Sequence, residues 1–182
     1  VNRCNFASGH VLMHSSNHAL VRNLQTENIE KGIFLGGNGS FNYYHWMIEI
    51  LPKLKYIYEL DKLGYRDFPL LVSEDVDHIT TFRESLNYIC KDRPVLKLDK
   101  DKAYNVGKLA YINAPNNLPF NLKRNEKMRI SDFLTRISSI DFLRDRLRRN
   151  ADTAPLTNSI KRIFFARHNI RRNYNQSEIF EI

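Results

Sequence analysis

The sequence predicts a layered α/β fold built on a parallel sheet. Three observations point to it: short apolar runs alternate along the chain with stretches of helical period, a glycine-rich break separates the first strands from the first helix, and the composition is that of a globular domain. The chain has 182 residues, 42% of them apolar and 26% charged. That is enough to bury roughly two-thirds of its surface around one core. Cys4 and Cys90 are the only cysteines, which excludes a disulfide scaffold and a four-cysteine zinc site and favours a reducing compartment. No apolar run approaches the ~20 residues needed to cross a bilayer, and Val1 opens no signal-like segment.

The elements follow in order. Alternating stretches over 10–14 and 19–22, separated by Ser15, Ser16 and Asn17, predict two short strands joined by a turn, and a third strand ends at Leu35. Gly36, Gly37, Asn38 and Gly39 break the chain. From Asn42, a plausible N-cap, the period becomes helical through Trp46, Ile50, Leu54, Ile57 and Leu60, with Gly64 as the stop. Pro52 lies inside this helix and predicts a kink or break over 48–52. A buried strand over 69–73, an amphipathic helix over 79–89, and strands over 95–98 and 109–113 complete the alternation that parallel pairing requires. Asn116, Asn117, Pro119 and Asn121 then form a polar loop before a long helix over 126–149, whose inner stripe is Phe133, Leu134, Ile137, Phe142, Leu143 and Leu147.

From Asn150 the composition turns to Ala, Asp, Thr, Pro and Ser, which predicts a linker over 151–159 between a domain of residues 1–150 and a new segment over 160–182. That segment reads as a strand over 160–166, an Arg- and Asn-rich turn, and a helix starting near Gln176 or Ser177. One strand and one helical turn cannot bury a core, so a second domain cut short at Ile182 is the expectation.

Lys and Arg exceed Asp and Glu by 28 to 20, a formal charge of +8. Such a field suits a nucleic acid, an anionic membrane face or a phosphate-bearing substrate equally well. The cations gather late, in Arg144, Arg146, Arg148 and Arg149 and then in Lys161, Arg162, Arg167, Arg171 and Arg172. No aromatic ladder, basic recognition helix or zinc-finger spacing accompanies them, so nucleic acid is not an expected partner.

Two constellations carry chemistry. In the first, His45 and Glu49 stand four apart on a helix, where a carboxylate fixes an imidazole's tautomer and raises its basicity, as a general base needs. The same spacing also fits a solvated helix pair, and Tyr43, Tyr44 and Trp46 fit core packing as well as ring stacking. Two ligands without a third give no metal site. In the second, a strand delivers Arg167, Arg171 and Arg172 into a turn before a helix N-terminus, an arrangement suited to a diphosphate and equally to a solvated basic loop.

Together these segments resemble glycosyltransferase family 61, which includes bacterial capsular-polysaccharide biosynthesis proteins and eukaryotic protein-, glycan- and xylan-modifying transferases. The resemblance rests on Asn42-Tyr43-Tyr44-His45-Trp46 followed by Glu49 and Leu51-Pro52, and on Phe164-Phe165-Ala166-Arg167 followed by Arg171-Arg172, Asn175 and Glu178. Ala166 stands where the family usually has Ser. The resemblance implies a GT-B type enzyme of two Rossmann-like domains facing a cleft, with this chain supplying the acceptor-side domain and the start of the nucleotide-sugar-binding domain. It implies inverting transfer from a nucleotide-sugar to a glycan or lipid-linked glycan in surface or capsular polysaccharide synthesis. His45, oriented by Glu49, is then the base. Arg167, Arg171 and Arg172 offset charge on the leaving diphosphate, with no metal required, and Asn42, Tyr43, Tyr44 and Trp46 contact the acceptor. The expected setting is cytoplasmic, peripheral to the inner face of the plasma membrane. The alternative is a non-catalytic glycan- or protein-binding α/β domain using the same Tyr, Trp and Arg side chains.

Overall fold

The computed structural model describes residues 11–37, 39–117 and 122–150, all within one unit, Val1–Ala151. The expected linker over 151–159 and the strand and helix start within 160–182 lie outside the described residues, as do Arg167, Arg171 and Arg172.

Strands β1 (Val11–His14) and β2 (Ala19–Val21) form the expected antiparallel hairpin. Ser15 closes its turn, with the hydroxyl accepting from His18 N at 3.2 Å and the Ser15 amide donating to the His18 carbonyl at 2.8 Å. Strand β3 (Gln25–Phe34) follows and leads into the glycine-rich turn.

One helical segment then runs from Tyr43 to Tyr65 in unlike pieces. It opens with α1 (Tyr43–His45), widens into a π turn (Trp46–Ile50), tightens into a 3₁₀ turn (Leu51–Lys53) and continues as α2 (Leu54–Leu60) before a second π turn (Asp61–Tyr65). The expected break at Pro52 is thus a change of helical pitch. Proline has no N–H to give the carbonyl four residues back, so the regular ladder cannot pass through it. Gly64, at φ +90°, takes the left-handed conformation that ends the segment.

Strand β4 (Leu70–Ser73), a short helix α3 (Asp75–His78) that hydrophobic period did not reveal, α4 (Thr80–Ile89) and β5 (Val95–Leu98) come next. Strand β6 spans Lys102–Tyr111, beginning well before the expected start at Leu109. Its first half is polar because it pairs with the equally polar start of β3, where Lys102 contacts Glu27 and Asn105 donates to Asn28 at 3.1 Å. Helix α5 (Ile137–Asn150) is shorter than the expected helix over 126–149. The Asp132 carboxylate takes the Arg129 amide at 2.8 Å and closes a 3₁₀ turn there, so local side-chain bonding displaces helix in this stretch. Of the proposed inner stripe, Leu143 is buried and Phe142 and Leu147 pack on the core, whereas Phe133, Leu134 and Ile137 are exposed.

The main sheet has the order β5-β4-β3-β6, and every neighbouring pair is parallel. The protein is therefore a mixed α/β domain on a four-stranded parallel sheet. Ile33 of β3 and Leu35 just after it, with Leu70 and Val72 of β4, alternate along the chain and face the helices. They pack with Trp46, Ile50, Leu54 and Ile57 of the helical segment, Phe82, Leu86 and Ile89 of α4, and Leu143 of α5. Leu71 is also buried, and its side chain occupies the space where a Cβ on Gly32 would sit. Burial on both faces explains why β4 reads as an unbroken apolar run.

Candidate functional site

The carboxyl ends of β3 and β6 lie level, with Phe34 paired to Tyr111 and on its other side to Leu71, two residues before the end of β4. Strands β4 and β5 lie on one side of β3 and β6 on the other, so the strand order reverses between β3 and β6. Ligands of open parallel sheets bind in the crevice outside such a reversal. The sequence places the glycine-rich turn and the start of the helical segment there.

Asn42 is the N-cap, as expected: its Oδ1 accepts from Tyr44 N at 2.9 Å, while its amide donates to the Gly39 carbonyl at 2.8 Å. Gly39 sits at φ +80°, and a Cβ there would lie 2.8 Å from His45 Cδ2. The turn therefore packs its backbone directly on the imidazole. Across the ring, His45 Nδ1 lies 2.9 Å from Glu49 Oε2, and each residue is only 7% exposed. The pair is buried, which removes the solvated-helix-pair reading.

Lys53 extends the same stripe by another four residues and was not singled out by sequence reasoning, although its spacing from Glu49 repeats that of Glu49 from His45. It is 1% exposed. Its Nζ donates to the Gly36 carbonyl at 2.6 Å and lies 5.4 Å from the centre of the Tyr111 ring, so it ties the ends of β3 and β6 together. Burial pushes its pKa down to about 8, opposed by the neighbouring Glu49 carboxylate. The stripe thus sets an imidazole, a carboxylate and a readily neutralised amine in order along one helical segment at the sheet's reversal point.

Tyr43 and Tyr44 are exposed, and the Tyr44 ring meets His45 edge-on at 5.5 Å. Trp46 corrects the expectation of an acceptor-stacking ring. It is 1% exposed, stacks on Phe82 at 4.7 Å, and donates its Nε1–H to Ser85 Oγ at 2.9 Å. It belongs to the core.

Asn116 is a second residue that sequence reasoning left in a polar loop. It is 1% exposed, and it donates to the Ile48 carbonyl at 2.6 Å and accepts from Arg136 N at 2.6 Å. Beside it a cavity of about 390 Å³ is lined by Tyr56, Asn113, Pro115, Leu134 and Arg136. Among the described residues no three His, Cys, Asp or Glu side chains converge as a metal site, and no helix is long and apolar enough to cross a membrane.

Compared with family models, with curated proteins and with solved structures, the chain matches none.

Proposed function

We propose that this chain is the acceptor-side domain, with the start of the donor domain, of an inverting GT-B type glycosyltransferase that uses a nucleotide-sugar, as its resemblance to family 61 implies. The observation that carries this reading is the buried contact of His45 Nδ1 with Glu49 Oε2 at 2.9 Å, at the end of a parallel sheet where its strand order reverses. A carboxylate on Nδ1 holds the proton there and leaves Nε2 as the basic nitrogen. An acceptor hydroxyl of a glycan or lipid-linked glycan loses its proton to that nitrogen as its oxygen attacks the anomeric carbon. Arg167, Arg171 and Arg172 offset the charge that develops on the departing nucleoside diphosphate, in place of a metal ion. Tyr43 and Tyr44 offer their exposed rings to the acceptor. Surface-polysaccharide synthesis on the cytoplasmic side of the membrane is the setting this reading favours.

The two exposed tyrosines also support a second reading, a glycan-binding α/β domain without chemistry. One experiment separates the two. Full-length protein carrying a complete donor domain is incubated with uridine- and guanosine-diphosphate sugars and an oligosaccharide acceptor panel, and product and acceptor binding are both measured. Transfer that falls at least a hundredfold in a folded His45→Ala variant supports the enzyme. Acceptor binding without transfer, unchanged by His45→Ala and lost in Tyr43→Ala, supports the binding domain.

A further inference from the structure

The stretch between Leu122 and α5 exposes apolar side chains in an unusual concentration. Met128 is 49% exposed, Ile130 93%, Phe133 53%, Leu134 46% and Ile137 72%. Isolated exposed apolar residues need no explanation, but a cluster rimmed by polar groups marks a binding surface. The same stretch is strongly cationic, with Lys123, Arg124, Lys127, Arg129 and Arg136 all exposed. Two acids, Glu126 and Asp132, also lie in the stretch, and the Asp132 carboxylate accepts from the Arg129 amide at 2.8 Å.

The exposure is built into the backbone. Phe133 N donates to the Ile130 carbonyl at 3.1 Å, Leu134 exchanges backbone bonds with Asn117 at 2.8 and 3.2 Å, and Arg136 N is held by the buried Asn116 at 2.6 Å. These bonds fix the loop against the domain while the apolar side chains remain outside its core.

We infer that residues 123–137 form a docking surface for an anionic membrane, inserting Ile130 and Phe133 between headgroups while the five cations lie against lipid phosphates. Charge complementarity selects this occupant. The centres of protein interfaces are depleted of lysine, whereas apolar side chains ringed by Lys and Arg are the pattern of interfacial membrane segments. A nucleic acid would satisfy the cations and leave Ile130 and Phe133 in water. The attachment is peripheral, and it does not rest on the transferase reading.

Flotation of the 182-residue chain with vesicles tests it, using phosphatidylcholine alone and phosphatidylcholine mixed with phosphatidylglycerol. Binding is expected only to the mixed vesicles, weakening with salt and by about fivefold for each of Lys123, Arg124 and Lys127 changed to Gln. A double variant, Ile130→Asp with Phe133→Asp, should lose binding at least tenfold with an unchanged circular dichroism spectrum, since both side chains are already exposed. Three results would overturn the inference: equal binding to both vesicles, no binding to either, or a dimer in light scattering that the double variant abolishes while vesicle binding persists.

Discussion

Asn116 Nδ2 donates to the Ile48 carbonyl across 2.6 Å, and that carbonyl is the one Pro52 cannot serve. In a regular helix the amide four residues on would bond it, and proline has none. The same side chain accepts from Arg136 N and lies 3.1 Å from Ser139 Oγ, so one amide joins the π turn carrying Glu49 to the start of α5.

Removing that amide should therefore cost more than one surface hydrogen bond. Asn116→Ala leaves a part-buried carbonyl and a part-buried amide without their partner, at about 1–3 kcal/mol each before relaxation. Asn116→Asp keeps the acceptor for Arg136 N but brings a carboxylate against the Ile48 carbonyl, and should be no better. Urea unfolding should show both variants less stable by at least about 2 kcal/mol. A loss below about 0.5 kcal/mol in both would show that Asn116 does not hold the π turn.

Trp46 is the single tryptophan of the chain, so its fluorescence reports one environment. Stacked on Phe82 and 1% exposed, it should emit at short wavelength and resist acrylamide in the folded protein. Trp46→Ala should destabilise the domain by about 3–5 kcal/mol. Ser85→Ala should cost about 1–3 kcal/mol by stranding the indole N–H that its hydroxyl accepts at 2.9 Å. Red-shifted emission, readily quenched and then protected on adding an oligosaccharide, would restore Trp46 to the acceptor surface.

What the sequence made legible was whatever a single residue type decides locally. Asn42 caps, Pro52 interrupts and Gly64 stops the helical segment because each acts through its own backbone or side chain. The apolar strand β4 was legible because burial dictates its composition, and β5 was legible from its short apolar run although its side chains are largely exposed. The first half of β6 was not, since its polar residues are strand only because β3 lies beside them. The stretch over 126–136 carried a helical apolar period, yet the Asp132 carboxylate captured a backbone amide and the period went unused. At the candidate site the His45 and Glu49 spacing was readable, but their burial was not. Lys53 escaped because a lysine pattern implies solvent, and only the level ends of β3 and β6 bring it to Gly36 and Tyr111.

Gly39 should tolerate no side chain. At φ +80° an alanine is strained, and its Cβ would press on the His45 ring at 2.8 Å from Cδ2. Gly39→Ala should lose about 1–3 kcal/mol of stability and shift the His45 ring resonances in a histidine-labelled NMR spectrum. By contrast, Gly37→Ala should leave those resonances in place, since a Cβ there meets Ile50 and Lys53 only at 3.9 Å. If the two variants perturb His45 equally, the turn does not pack on the ring as described.

Lys53 gives the domain a distinctive pH dependence. Burial lowers its folded pKa to about 8 from the ordinary lysine value of 10.5, so over that interval the unfolded chain holds a proton that the folded chain has released. Stability from this group therefore rises as pH increases from about 8 to 10.5, and below pH 8 the buried ammonium is a standing cost on the order of 3 kcal/mol. Lys53→Met keeps much of the aliphatic stem and removes the charge, at the loss of the bond to the Gly36 carbonyl. The variant should be at least as stable as the parent at about pH 7, and the rise in unfolding free energy between about pH 8 and 10 should flatten. Denaturant titrations across that range check both parts. A parent whose stability falls throughout the interval, with Lys53→Met running parallel to it, would show that the amine titrates as a solvated lysine and that the helical stripe ends at Glu49.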